Sequence, residues 1–224
     1  MQILLSRELD RLKKSILSLA AEVEYIFQKS ILALKLMDPV MAEEQIERDE
    51  TIDRMEVELE EECLKILALY QPVAGDLRFI VSILKINNDL ERIADLAVNI
   101  AERAMAITRE KKVPSPFDYA RMAHLVDHML QKSLDALVGL DPALARRVIE
   151  LDEEVDILHR ETYGKVREAL IRNPEDFSAV LSYLGVSRHL ERIADYATNI
   201  AEDVIYMTEG EIVRHKTDLA KEIQ

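Results

Sequence analysis

Cysteine occurs once in the 224 residues, at Cys63. A lone cysteine rules out an intrachain disulfide and the cysteine-rich zinc arrangements, and it fits a reducing, cytoplasmic home. Basic residues are also short: 29 Lys and Arg stand against 43 Asp and Glu, a formal charge of −14. Nucleic acid is held by clustered Lys and Arg, so that partner class is excluded, and cations or basic partner surfaces are expected instead. No run of about 20 apolar residues occurs, so no membrane span is expected. The opening "MQILLSRELDRLKKS" has too short an apolar tract for a signal-peptide core, and acids follow it directly. There is no Gly-rich phosphate loop and no Ser or Cys with a plausible His partner, so no catalytic residue is assigned.

Helix breakers are scarce too, with five glycines and six prolines. Pro39, Pro72, Pro114, Pro116, Pro142 and Pro174 sit with Asp38, Gly75, Ser115, Gly139, Asp141 and Asn173 at five junctions. The six segments between them are rich in Ala, Leu, Glu, Lys, Arg, Ile and Met, all good or acceptable helix formers. Long helices are expected near 4–37, 40–70, 75–110, 117–139, 142–171 and 176–208. A 30-residue helix is about 45 Å long, and antiparallel bundling is its natural packing. Tyr25, Tyr70 and Phe79 fall at apolar helical spacing and are expected in the core.

What the chain has in abundance is self-similarity. "LERIADLAVNIAE" (90–102) returns as "LERIADYATNIAE" (190–202), an offset of 100. "FQKSILALKLMDP" (27–39) lines up with "LQKSLDALVGLDP" (130–142), and "ERDETIDRM" (47–55) with "ELDEEVDIL" (150–158), both at an offset of 103. A three-residue shortening between the second and third helices of the second half reconciles the two values. The chain therefore reads as all-α, two tandem three-helix bundles, at 1–112 and 113–224, joined near "EKKVPSPFD".

At about 100° per residue, Leu90, Ile93, Ala94, Ala97, Ile100 and Ala101 take one side of the third helix, while Glu91, Asp95, Asn99 and Glu102 form a stripe on another. The second copy repeats that stripe as Glu191, Asp195, Asn199 and Glu202. The second helix carries Asp49, Asp53, Glu56 and Glu60, with Asp152, Asp156, His159 and Tyr163 at the aligned positions. Antiparallel packing would bring each unit's two stripes together. A solvated face needs charge but not identity, whereas Glu91, Asp95, Asn99 and Glu102 recur residue for residue. All-oxygen clusters suit Mg²⁺, Ca²⁺ or Mn²⁺, and carboxylates with an occasional His also suit iron. Arg92 and Arg192 are read as ion-pair partners of the acids, and His159 and His189 as equally compatible with a ligand or a satisfied side chain.

"QPVAGDLRFIVSILKINNDLERIADLAVNIAE" (71–102), "SRHLERIADYATNIAEDVIYMTEGEIVRH" (187–215) and the doubled E-x-x-x-D pattern resemble the PhoU family of phosphate-transport regulators, over nearly the whole chain. The resemblance implies two three-helix bundles side by side. It implies metal ions (Fe, Zn, Mg, Mn or Ca) on the bundle surface at Asp49, Asp53, Glu91 and Asp95 and at Asp152, Asp156, Glu191 and Asp195. Asn99, Glu102, Asn199 and Glu202 extend these sets. It further implies a cytoplasmic homodimer, peripheral to the membrane through its partners, a phosphate ABC transporter with its ATPase subunit and a sensor histidine kinase. In that role the protein would repress phosphate uptake and the phosphate-starvation response by contact. Ala94 and Ala194 stand where Gly is expected in many relatives. No basic anion pocket is legible, so direct phosphate binding has no support from the sequence. Two other readings remain: a metal-free adaptor with acidic protein-binding faces, and a carboxylate-bridged di-iron enzyme, for which only Asp156-x-x-His159 is available.

Overall fold

The computed structural model describes residues 2–109 and 113–213. Six long helices account for nearly all of them: α1 (Gln2–Leu36), α2 (Pro39–Tyr70), α3 (Ala74–Arg109), α4 (Tyr119–Gly139), α5 (Pro142–Arg172) and α6 (Phe177–Glu209), with a 3₁₀ turn at Pro174–Asp176. The expected junction between units, 112/113, borders residues 110–112, and Arg214 and His215 of "GEIVRH" also lie outside the described residues.

The junctions form where the breakers predict, and the repeat extends to their backbone geometry. Met37 (φ 53°) and Leu140 (φ 50°) both turn left-handed, and each is followed by an Asp-Pro pair. Asp38 accepts from the backbone N–H groups of Val40 and Met41, as Asp141 does from Ala143 and Leu144. These carboxylates satisfy two otherwise orphaned donors of a helix start, and proline at the first helical position gives up an N–H with no partner to lose.

Helices α1, α2 and α3 pack on one another, as do α4, α5 and α6, and the two triplets meet chiefly through α3 against α6, with α1 touching α4. One hydrophobic cluster runs through both triplets, from Leu12 and Phe27 in α1 to Ile193 and Val204 in α6. Two self-contained cores were the simpler expectation. The sequence pattern explains the fusion: α3 and α6 are apolar over more than one face, with Leu96, Val98, Val180 and Met207 buried besides the main stripe, and such helices must be covered on several sides. The alanines Ala94, Ala97, Ala194 and Ala197 are essentially inaccessible, so the methyls where glycine was expected are accommodated within the core.

Early in α3, Lys85 Nζ lies 3.1 Å from Asp203 Oδ1, late in α6. Late in α3, Arg103 lies over Gly185, early in α6. The helices thus run antiparallel, and the pairs 85/203 and 185/103 exchange under the 100-residue offset of the repeat, which gives the molecule a pseudo-twofold relation. Tyr70 and Phe79 pack against the core as expected. Tyr25 does not: it is exposed, with the Arg48 guanidinium 4.4 Å and the Lys29 ammonium 5.4 Å from its ring centre. Helical periodicity places Tyr25 near the apolar side, but two cations over its π-face stabilise it on the surface.

Candidate functional site

On α2, Asp49, Asp53 and Glu56 share a face because four- and three-residue steps stay on one side of a helix. On α3, Glu91 and Asp95 do the same. The antiparallel packing sets the two stripes against each other, so that Asp95 acts on Asp49, and Asp53 and Glu56 act on Glu91. Burial, then Asp53 and Asp95, push the Asp49 carboxyl up to about 6. Burial and Asp95 raise Glu91, opposed by Arg92. Asp49 Oδ1 is cut off from water with no hydrogen-bond donor, whereas the equally shielded Glu91 Oε2 has the Arg92 guanidinium 3.3 Å away. A buried acceptor left unmatched is costly, more so for a charged group.

The second unit builds the same arrangement. Burial, then Asp195 and Asp156, raise Asp152 to about 6, and burial, then Glu191 and Asp156, raise Asp195 to about 6. Glu191 is raised by burial, then by Asp156 and Asp152. Each cluster is therefore four carboxylates from two helices, at the flank of the core and not inside it.

The stripes are partly neutralised by arginines, as expected for Arg92. Arg92 lies 3.3 Å from Glu91 and 3.1 Å from Asp95, and Arg160 lies 3.6 Å from Asp156. Among the described residues, no three His, Cys, Asp or Glu side chains stand in a metal-holding group. The carboxylates converge without closing a cage, which agrees with mutual repulsion and with the pull of the two arginines.

Asn99 donates its amide to the Asp95 backbone carbonyl at 2.7 Å, so its nitrogen is engaged within its own helix. Glu102 is exposed one turn further on, and Asn199 and Glu202 are half-buried at the matching places. None of these four is among the groups that raise the carboxyls of either cluster. Glu56 belongs with the first cluster more closely than they do. Its carboxyl is raised by burial, then by Glu60 and Asp53, and it accepts from Asn87 at 3.0 Å. The α2 stripe already contains Glu56, but only the packing brings it beside Glu91. Its counterpart His159 meets Ser187, the counterpart of Asn87, with Nδ1 2.8 Å from Oγ. His159 is thus a satisfied side chain whose ionisation is lowered by burial. His189 is held near 4 by burial and by Arg103, Arg192 and Arg188, with both ring nitrogens shielded and no hydrogen-bond partner.

Fold and clusters together define a class: an internally duplicated, all-helical protein with one carboxylate cluster per unit. The PhoU domain matches twice, over residues 16–104 and 119–204. The phosphate-specific transport system accessory protein PhoU homolog of Aquifex aeolicus is 39% identical over 212 residues, covering 95% of this chain and 96% of that one. The crystal structure of PhoU from Pseudomonas aeruginosa superposes with a TM-score of 0.88 at 36% identity, over 92% of this chain and 99% of the other. The phosphate transport system regulatory protein PhoU from Streptococcus pneumoniae gives 0.83 at 32% identity, over 93% and 99%. The chain belongs to the PhoU family, regulatory accessory proteins of phosphate transport and not enzymes. No helix among the described residues is long and apolar enough to cross a membrane.

Proposed function

We propose that the protein represses phosphate uptake and the phosphate-starvation response by contact, as a cytoplasmic homodimer that meets the ATPase subunit of a phosphate ABC transporter and a sensor histidine kinase. On this reading each acidic cluster takes up divalent or iron ions. The observation that carries the metal assignment is the convergence of four carboxylates per unit, with Asp49 Oδ1 buried and without a hydrogen-bond donor. An all-oxygen donor set suits hard cations. Asp49, Asp53, Glu91 and Asp95 would hold metal in the first unit, and Asp152, Asp156, Glu191 and Asp195 in the second. A bound cation would neutralise the cluster, and it would offer open coordination positions to a carboxylate of a partner surface. The chain's own residues hold the acids on rigid helices, half-buried except for the exposed Asp53 and Asp195.

Elemental analysis of protein purified without chelator tests this, alongside Glu91→Gln/Asp95→Asn and Glu191→Gln/Asp195→Asn. Metal should fall by about half in each double variant, because the clusters are independent. A strain lacking the protein should regain repression of a starvation-response reporter with the wild type and not with the combined variant. Unchanged metal content in both variants would refute the site, and repression by the combined variant would refute its role. The Arg92 and Arg160 ion pairs favour a second reading, a metal-free adaptor whose acids meet a basic partner. That reading expects full partner binding by metal-stripped protein.

A further inference from the structure

The pseudo-twofold relation makes one corner of the α3–α6 contact differ sharply from the other. At the first corner Lys85 bonds Asp203, sits 5.1 Å from the centre of the Tyr206 ring, and shares its end of the interface with Asp89. At the second corner Lys85, Asp203, Asp89 and Tyr206 are matched by Gly185, Arg103, His189 and Ala106, and Arg188 replaces Asn88. The acids are gone and the lysine side chain has become a hydrogen atom. What remains is a cleft of about 630 Å³ between α3, α5 and α6, floored by Gly185 and flanked by Arg103 and Arg188.

Several features show that this cleft is shaped around positive charge. A Cβ at position 185 would lie 3.2 Å from Arg103 Nε, so glycine gives the Arg103 side chain room to cross α6 closely. Neither Arg103 nor Arg188 makes an ion pair or hydrogen bond among the described residues, although the chain carries a surplus of 14 negative charges. Tyr163, Phe177 and Leu181 line the rest of the cleft and are 53%, 57% and 40% exposed.

We infer that this cleft binds a phosphate-bearing small molecule, with Arg103 and Arg188 holding the phosphate over Gly185. Two guanidinium forks offer more N–H donors and more charge than a single carboxylate can use, and they match the three oxygens of a phosphate dianion. The volume is that of a ligand pocket. Tyr163 and Phe177 offer stacking faces to an organic group esterified to the phosphate. The sequence hid this site because Arg103 and Arg188 stand 85 residues apart, each in an otherwise ordinary helical setting. The site uses none of the residues assigned to the metal clusters, although Arg188 acts on the Glu191 carboxyl, so binding is measured on metal-stripped protein.

Isothermal titration of metal-stripped protein at physiological salt tests it, with inorganic phosphate, AMP and succinate as probes. Phosphate or AMP should bind the wild type, and Arg103→Gln and Arg188→Gln should each weaken binding about tenfold or more, the loss of one charge-assisted contact. Lys85→Gln, at the pseudo-equivalent corner, should leave binding unchanged. Circular dichroism checks that every variant is folded. AMP binding tighter than phosphate would identify a phosphorylated metabolite that uses the aromatic side chains, and equal binding would identify free phosphate. Binding of neither, binding indifferent to both arginines, binding that needs added divalent metal, or tighter binding of succinate would each overturn the proposal. The metal reading fails on different grounds, the metal content of the acidic-cluster variants.

Discussion

Replacing Asp49 by Asn should stabilise the metal-free protein at pH 8, although it removes a half-buried side chain at the centre of the first cluster. The Asp49 carboxyl stands at about 6 in the fold against an ordinary aspartate value of 3.8. A group raised on folding contributes stability that is fully present below the unfolded value and is lost as the pH rises through the folded one. Asp49 thus weakens the fold progressively from about pH 4 to pH 7. At 1.36 kcal/mol per pKa unit the loss is at most about 3 kcal/mol, and water access to the half-buried group reduces it to about 1 kcal/mol. Asn keeps the shape, drops the charge and supplies N–H donors beside Asp53 and Asp95. Urea unfolding followed by circular dichroism from pH 4 to pH 8, on metal-stripped protein, should show Asp49→Asn about 1 kcal/mol more stable at pH 8. That corresponds to about 2–4 °C in Tm for a chain of this size, and the advantage should vanish near pH 4. With saturating Mn²⁺ the sign should reverse, because ligand linkage gives about 2.7 kcal/mol at one hundred times Kd to the protein that retains the site. A metal-free Asp49→Asn protein less stable than wild type at pH 8, or with the same pH slope, would refute the account of the cluster as a repulsive, desolvated set of acids.

Three further outcomes follow from other parts of the fold. Cys63 is inaccessible and its thiol is pushed up to about 12 by burial, then by Glu62 and Glu60; a disulfide reagent such as DTNB should react with it only after denaturation, and rapid labelling of native protein would contradict its placement in the core. Lys85→Ala strips the Lys85 ion pair from Asp203, whose side chain is 2% exposed, and should cost about 1–3 kcal/mol in urea unfolding; a neutral result would mean that the α3–α6 contact does not depend on it. Asp38→Ala and Asp141→Ala each remove a carboxylate that caps two N–H groups, and each should cost about 1 kcal/mol, with near-additive loss in the double variant because the sites lie in different units.

Much of the fold was legible because helix formation here is a local matter. Asp-Pro pairs, scarce glycine and runs of good helix formers placed the six helices within two or three residues of where they stand, and the 100- and 103-residue offsets exposed the duplication. Stripe membership followed from helical period alone, so Asp49, Asp53, Glu91 and Asp95 could be grouped in pairs before any packing was known. The period says which residues share a face of one helix and nothing about which face of another helix meets it. That is why Glu56 was seen on the stripe but not beside Glu91, why His159 turned out to face Ser187, and why Tyr25 was assigned to the core. Arg92 was read as an ion-pair partner and is one, whereas the pairing of Arg160 with Asp156 was not foreseen from the stripe.

By itself, then, the sequence determined the helices, their ends, the repeat and the residues of each acidic stripe, since these depend on interactions within about four residues along the chain. Tertiary structure alone decided that the two units share one core, which acids of the converging stripes act on one another, and that Arg103 and Arg188 flank an open cleft over Gly185. Those outcomes depend on residues tens of positions apart meeting across helices, and no pattern along a single helix encodes which neighbour its exposed face will find.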